Sequence, residues 1–388
     1  MAERSLIFPR AEYGRRIAAL QARMAAAGQD ALLLTTAADV FYVTGFLTRF
    51  WESPARPWYM VIPAKGAPVA VIPAIGADLM GRCWIEDVRV WPAPDPRDDG
   101  VSLLAQTLSD LVPEAGAIAV PMGLETQLRA PLADFACVQR KIGDRKIVDG
   151  TDTLQRVREV KSDLEVAAIR ESCAIAGRVF DRVPEFARAG VPLSQVFRDF
   201  QIALLQEGAD WVSYVAGGAG PGGYGDVISP ADDRPLQAGD VLMLDTGAVR
   251  NGYFCDFDRN YSVGPPDAET AKAQEALWQA TEVAINGLRS GMRACDVHTV
   301  LADALTDHGA QPLGGRLGHG LGVTLTEWPS FTQLDETELV AGMALTLEPG
   351  VEIAPGRCLV HEENILLTDH GAELLSPRAP RHLPELST

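Results

Sequence analysis

Gly239-Asp-Val-Leu-Met-Leu-Asp245-Thr-Gly-Ala-Val-Arg-Asn-Gly-Tyr-Phe-Cys-Asp256-Phe-Asp258-Arg-Asn-Tyr261 decides how the second half of this 388-residue chain folds. Val241–Leu244 is an apolar run suited to a buried strand. Asn251-Gly252 is the strongest short signal for a two-residue hairpin turn, because both central positions need φ > 0. A turn there sets residue 245 opposite 258, with 256 two positions along the same face, unless a bulge shifts the register. Asp245, Asp256 and Asp258 then crowd onto one side of one hairpin. Like charges facing each other on a sheet repel, and burying them unpaired costs several kcal/mol or forces protonation. Arg250 and Arg259 alternate away from that face, so a hard cation with oxygen ligands is the better rescue. The competing reading is an exposed hairpin with ordinary surface aspartates. Asp245 speaks against it, since it ends a strongly apolar strand directly before Thr246-Gly247.

Three residues further along the chain have a similar character. Glu348 closes the apolar run Met343-Ala-Leu-Thr-Leu and precedes Pro-Gly, so an acid ends an otherwise buried strand. Glu362 sits in Cys358-Leu-Val-His-Glu362-Glu-Asn-Ile-Leu-Leu, another apolar strand with polar groups in its middle. Of the six histidines only His319 has an unusual setting, Arg316-Leu-Gly-His319-Gly-Leu-Gly, where flanking glycines allow close backbone approach. A lone histidine is more often structural than a ligand, and each glutamate alone could be a strand-end acid reaching water. Together they add two carboxylates and an imidazole to the hairpin aspartates. Asp245, Asp256, Glu348 and Glu362 carry a negative charge that two divalent cations would cancel, which favours a dinuclear site over a single ion.

Length and composition set the frame around this constellation. The chain is too long for one ordinary core and suits two domains. Hydrophobic residues at 47% and charged residues at 22% are the profile of a globular protein. The formal charge of −18 argues against a nucleic-acid partner, because counterion release needs a basic surface. No run approaches the roughly 18 apolar residues of a membrane span. The N-terminus MAERSLIFPRAEYGRR lacks the apolar stretch of a secretory signal. The six scattered cysteines, with no CxxC pair, read as reduced thiols of a cytoplasmic protein.

The first half alternates helical and strand patterns. Residues 11–27 have helical spacing, and Ala31–Leu34, Val40–Val43, Trp58–Pro63, Val69–Ile72 and Ala117–Val120 read as strands, which makes a mixed α/β domain. From Thr151 the sequence turns strongly helical, with Ser162-Asp-Leu-Glu165 as a helix-starting cap. Further helices are predicted over 193–205 and from Ala268 to about Leu288, with glycine-broken strands between them. The domains are expected at 1–152 and 153–388.

The second half resembles the pita-bread superfamily of methionine aminopeptidase, prolidase, aminopeptidase P and creatinase. The metal-dependent members share Asp, a second Asp eleven residues on, His in a Gly-rich segment, Glu before Pro-Gly, and a final Glu in a strand. Asp245, Asp256, His319, Glu348 and Glu362 keep that order and spacing over about residues 155–375. The first half resembles the N-terminal domain of the creatinase and prolidase branch, most clearly at Asp39-Val-Phe-Tyr-Val-Thr-Gly-Phe46. The implied fold is α+β, a C-terminal pita-bread domain preceded by a creatinase-type α/β domain. The resemblance implies two divalent ions (Mn, Co, Fe or Zn) bridged by Asp256 and Glu362. Asp245 would complete the shell of one ion and His319 with Glu348 that of the other. A bridging water becomes the nucleophile and Glu348 its proton carrier. The resemblance departs at three positions. Peptidases of the family keep histidines where this chain has Ile228 and Thr326, and Thr where it has Asp258, which is expected to act as an extra ligand or as a base beside the ligands.

Several features are candidates for substrate contact. The glycine-rich stretch 217–225 reads as a substrate-facing loop with Tyr224 as a proton donor, or as a plain connection. Glu327, in Glu327-Trp-Pro-Ser, is a candidate pocket wall. Creatinase-like members dimerise so that one subunit's N-terminal domain borders the other's site. By that resemblance a homodimer is expected, with Trp51 and Arg56 closing over a small zwitterionic or carboxylate-bearing substrate; otherwise they belong to a surface loop and core aromatics. The leading expectation is hydrolysis of an amide-type C–N bond in an Xaa-Pro dipeptide or a modified amino acid. The alternatives are a metal-dependent lyase acting on a zwitterion such as dimethylsulfoniopropionate, and a catalytically silent binding protein.

Overall fold

The computed structural model describes residues 6–53 and 56–388. The chain divides into two compact units, Met1–Arg158 and Glu159–Thr388. The division falls a little later than the expected 152/153 because helix α6 belongs to the first unit. There Thr153 donates its hydroxyl to Gln29 at 2.8 Å, and Asp152 pairs with Arg23.

The first unit contains helices α1 (Arg10–Ala26), α2 (Ala37–Thr44), α3 (Ala77–Met80), α4 (Val101–Leu111), α5 (Leu132–Lys141) and α6 (Thr151–Arg158). Its strands are β1 (Ala31–Leu34), β2 (Tyr59–Pro63), β3 (Val69–Pro73), β4 (Asp87–Trp91), β5 (Ala117–Val120) and β6 (Lys146–Asp149). They form one mixed sheet in the order β4-β3-β2-β1-β5-β6. β1, β2 and β3 are buried along their whole length, as expected of strands covered on both faces. Val40–Val43, predicted as a strand, is instead part of α2. Thr36 caps that helix by accepting from the Asp39 N–H, and Gly45 closes it in the left-handed region, so the caps outweigh the β-branched composition.

The second unit contains α7 (Asp163–Phe186), α8 (Leu193–Gln206), α9 (Ala268–Gly287) and α10 (Ala294–Asp307). The predicted capping box starts α7: Ser162 accepts from the Glu165 N–H, and the Glu165 carboxylate accepts from the Ser162 N–H. The strands are β7 (Trp211–Pro221), β8 (Asp240–Arg250), β9 (Tyr253–Phe254), β10 (Phe257–Val263), β11 (Gln311–Pro312), β12 (His319–Gly320) and β13 (Glu327–Ser330). They continue with β14 (Ala344–Leu347), β15 (Gly350–Ala354), β16 (Arg357–Val360), β17 (Glu363–Thr368), β18 (Gly371–Leu374) and β19 (Glu385–Leu386). One sheet runs β19-β10-β8-β7, with β9 paired to β8. A second runs β13-β12-β14-β17-β18, and a third β11-β15-β16. The apolar faces of α9 and α10 pack into a core with Val241, Met243, Leu345, Leu347, Ile365 and Leu367, which face inward from β8, β14 and β17. Asp245 within β8, Glu348 just after β14 and Glu362 just before β17 are therefore carried on a rigid, dry support, so Asp245 does not end its strand as its apolar run suggested. No helix of the described residues is long and apolar enough to cross a membrane.

Candidate metal centre

The β8–β10 hairpin has the register read from its turn. Asn251 and Gly252 both have positive φ, 54° and 80°, and Asp258 pairs directly with Asp245. Val241–Leu244 is sealed in the core and Asp245 is the first acid beyond it, partly open to solvent. Asp256 lies between β9 and β10, where the side chain of Asn364 takes over the role of a strand neighbour. Its Oδ1 accepts from the Asp256 N–H at 2.9 Å and its Nδ2 donates to the Asp256 carbonyl.

The other strands deliver their acids to the same place. Glu362 enters just before β17, and its N–H donates to Asp258 Oδ1 at 2.9 Å. Glu348 follows β14, tied back by its N–H to the Leu317 carbonyl, and stays partly exposed. His319 is held on β12 by its N–H donating to Thr346 Oγ1. Gly318 before it has φ 139°, and a Cβ there would sit 2.2 Å from the Thr346 carbonyl oxygen, so only glycine lets the strand come this close. Nδ1 of His319 lies 2.8 Å from the Gly320 carbonyl oxygen, which fixes the tautomer with the proton on Nδ1. Nε2 is left facing the cluster, 3.3 Å from Asp256 Oδ2. A metal ligand needs that arrangement.

Asp256, His319 and Glu362 are all buried and offer ligand atoms within 4.8 Å of one another. Asp245 Oδ1, Asp258 Oδ2 and Glu362 Oε1 are sealed from solvent without a hydrogen-bond partner. Buried carboxylate oxygens left without donors are costly in a folded protein unless something of opposite charge meets them. Electrostatics says the same. Burial, reinforced by the Asp256 charge, pushes Asp245 up to about 8. Burial lifts Asp256 and Glu348 to about 7. Asp258 rises well above the usual carboxylate range through burial and then Asp245, and Glu362 through burial and then Asp256, Glu348, Asp245 and Asp258. Arg316 is a counter-charge for Asp256 and Glu348, yet burial outweighs it. The donor set, one imidazole among hard carboxylate oxygens, fits divalent cations such as Mn, Co, Fe or Zn.

Other residues singled out in the sequence are placed differently. Tyr224 is 2% exposed within the core, its hydroxyl bound to Asn260 Oδ1 at 3.0 Å and accepting from the Val360 N–H at 2.7 Å. Those bonds use its hydroxyl to hold β16 against β10, so the expected proton donor is corrected to a structural tyrosine. Glu327 is also an internal group. Its Oε2 pairs with Lys161 Nζ at 3.2 Å, while Oε1 accepts from the N–H groups of Val323 and Thr324. Oε1 holds the loop after His319 and Oε2 holds the Lys161 ammonium, so the acid expected as a pocket wall is an internal clamp. Ile228, at a family histidine position, is 88% exposed in the loop after Tyr224. Thr326, at the other, accepts at its carbonyl from the Thr324 hydroxyl. In the first unit, Arg129 donates to the carbonyls of Trp51 and Arg56, both at 2.8 Å, and lies over the Trp51 ring. The Arg56 guanidinium lies over Phe50.

One site residue escaped the sequence reading. The Tyr214 hydroxyl lies 2.9 Å from Asp245 Oδ2 and 2.5 Å from Asp256 Oδ1. Burial, with the charges of Asp245 and Asp256 adding to it, keeps the phenol well above its ordinary range, so it is a neutral donor.

A two-domain chain that gathers buried carboxylates and an imidazole at the strand ends of its C-terminal unit is a metallohydrolase of the pita-bread type. The chain belongs to metallopeptidase family M24, which it matches over residues 167–369, with a creatinase/prolidase N-terminal domain over residues 16–160. It is 33% identical to a probable dipeptidase PepE of Mycobacterium bovis across 93% of both chains. It is 27% identical to an Xaa-Pro dipeptidase of Pyrococcus furiosus, across 66% of this chain and 73% of that one. The crystal structure of dipeptidase PepE from Mycobacterium ulcerans superposes with a TM-score of 0.85 at 32% identity, covering 98% of this chain and all of that one.

Proposed function

We propose that this chain is a dinuclear-metal-dependent dipeptidase, hydrolysing the amide C–N bond of a small Xaa-Pro-like dipeptide or a modified amino acid. The observation that carries the reading is the cluster itself: buried carboxylate oxygens without donors, converging on an imidazole nitrogen in a family M24 fold. Asp245, Asp256, His319, Glu348 and Glu362 would hold the ions, with Asp258 beside them. Two divalent ions there supply Lewis acidity toward the scissile carbonyl and an acidified water as nucleophile at neutral pH.

The protein's own groups do the rest. Glu348, partly exposed at the edge of the cluster, would be placed to take a proton from that water and pass it to the departing amine. His319 is kept in one tautomer by the Gly320 carbonyl, so its Nε2, which faces the cluster, needs no reorganisation. The dipeptidase names of the relatives support hydrolysis over elimination or a silent scaffold. A homodimer, with the Trp51 and Arg56 segment taking part in substrate enclosure, is part of the same proposal and is checked by light scattering on the eluting protein.

The test is Ala-Pro hydrolysis by protein loaded with Mn²⁺, followed by release of free proline. Turnover that disappears with chelator and in Asp256→Ala supports the reading. An alkene product from dimethylsulfoniopropionate, with no cleavage of any Xaa-Pro or N-acyl amino acid, would replace hydrolysis by elimination.

A further inference from the structure

Tyr214 reaches the cluster through two local devices. β7 and β8 pair as Val212 with Ala248 and then as Val215 with Thr246, so one extra residue is inserted in β7 and Ser213 and Tyr214 together oppose Gly247. A bulge of this kind re-aims a side chain, here turning Tyr214 toward the end of β8. The residue opposite has no side chain to obstruct it. A Cβ on Gly247 would lie 2.7 Å from both Tyr214 Cε1 and Leu325 Cδ1 and 2.9 Å from Ser213 Oγ, so the ring and Leu325 together occupy the space a side chain would fill. The phenol is thereby laid across its neighbouring strand, with its hydroxyl between Asp245 Oδ2 and Asp256 Oδ1. Asp245 Oδ1, the other oxygen of that carboxylate, is buried and without a partner.

We propose that Tyr214 is a positioning residue of the metal centre, its hydroxyl fixing one oxygen of Asp245 and one of Asp256 so that the remaining oxygens are aimed at the metals. The backbone of an aspartate does not fix its carboxylate, because χ2 is broad for this side chain. A neutral hydroxyl placed between the two carboxylates gives its single hydrogen to one oxygen at a time, Asp256 Oδ1 or Asp245 Oδ2, and so limits their rotation without supplying a charge that would compete with a cation. Groups one step removed from the metal commonly alter affinity about 10–100-fold when lost. The inference rests on the same site as the proposed function but does not need the substrate to be right.

The experiment is calorimetric titration of chelator-stripped full-length protein with Mn²⁺, together with the visible spectrum after loading with Co²⁺. Tyr214→Phe keeps the ring across Gly247 and removes only the hydroxyl. It is expected to bind at least one ion roughly tenfold more weakly and to shift the Co²⁺ bands. Gly247→Ala keeps the hydroxyl but displaces the ring, and is expected to weaken binding in the same direction. Ser213→Ala, in the same bulge but exposed, is expected to titrate like the wild type. Wild-type affinity and spectrum in Tyr214→Phe would overturn the proposal. If that variant does not fold, wild-type binding by Gly247→Ala overturns it equally. A wild type that binds Mn²⁺ yet cleaves no dipeptide would sink the dipeptidase reading alone and leave the role of Tyr214 standing.

Discussion

Glu362 and Glu363 are adjacent where the chain enters β17, and both are almost sealed from solvent, at 2% and 0% exposure. Glu363 is surrounded by donors. Arg259 and Arg378 each reach it at 3.0 Å, the Ala379 N–H donates at 2.8 Å, and the Ser376 hydroxyl at 2.5 Å. Burial alone would raise its pKa, but Arg259, His361 and Ser376 reverse that and hold it far below the usual range. Glu362 points into the opposite environment. It leaves Oε1 unpartnered and has Asp256, Glu348, Asp245 and Asp258 for neighbours, so burial and like charge act together to raise it. One side of the strand is a finished ion-pair network that holds structure. The other side gathers like charges that a bound cation would balance.

Substitutions at the two positions are expected to separate these roles. Glu362→Gln should abolish metal-dependent turnover to the detection limit without lowering the unfolding free energy of the metal-free protein, because it removes repulsion. Glu363→Gln should destabilise by about 3–5 kcal/mol, since it removes the charge that pairs with buried Arg259 and half-buried Arg378. Urea unfolding in chelator reads both. Equal destabilisation by the two variants would erase the distinction.

The pH dependence of the metal-free protein follows from the same contrast. Asp245, raised from 3.8 to about 8, holds its proton in the folded state where the unfolded chain has released it. The folded state therefore binds more protons across that window, and stability falls as pH rises through it, by roughly 1.4 kcal/mol per pH unit for each such group. Glu363 has the opposite sign. Its contribution is complete above the ordinary glutamate range and is lost only in strong acid. Melting of chelator-treated protein should thus decline from pH 5 to pH 8, and Mn²⁺ should abolish the decline. A flat profile without metal would contradict the assignment of the raised carboxyls.

Smaller effects refine the picture. Asn364→Ala leaves the Asp256 N–H and carbonyl without their buried partners and is expected to cost about 1–3 kcal/mol, with weaker Mn²⁺ binding in calorimetry. Arg170→Ala removes an ion pair with Glu373 whose side chains are 44% and 54% exposed. It should change stability by less than about 1 kcal/mol and leave metal binding alone.

What could be read from the sequence was local or periodic. Asn251-Gly252 fixed the turn, the two-residue period of strands fixed the faces, and acids ending apolar runs marked Asp245 and Glu348. Features that depend on distant partners were misread or missed. Glu327 looked like a pocket wall because its partner Lys161 is 166 positions away. Tyr224 looked like a proton donor among glycines, whereas Asn260 and Val360 bind its hydroxyl. Tyr214 gave no signal at all, since only a bulge in β7 turns it toward the site. Val40–Val43 was β-branched enough to suggest a strand, but Thr36 and Gly45 set helix ends around it.

The most direct test of the central claim is thermal unfolding of wild type and Glu362→Gln at pH 7.5, each stripped by chelator and then titrated with Mn²⁺. An ion that binds only the folded state raises Tm as its concentration exceeds Kd. The expected result is a rise of several degrees in the wild type and none in Glu362→Gln. A wild-type Tm indifferent to Mn²⁺, Co²⁺, Fe²⁺ and Zn²⁺ would contradict the account, because the buried oxygens of Asp245, Asp258 and Glu362 would then have no cation to meet.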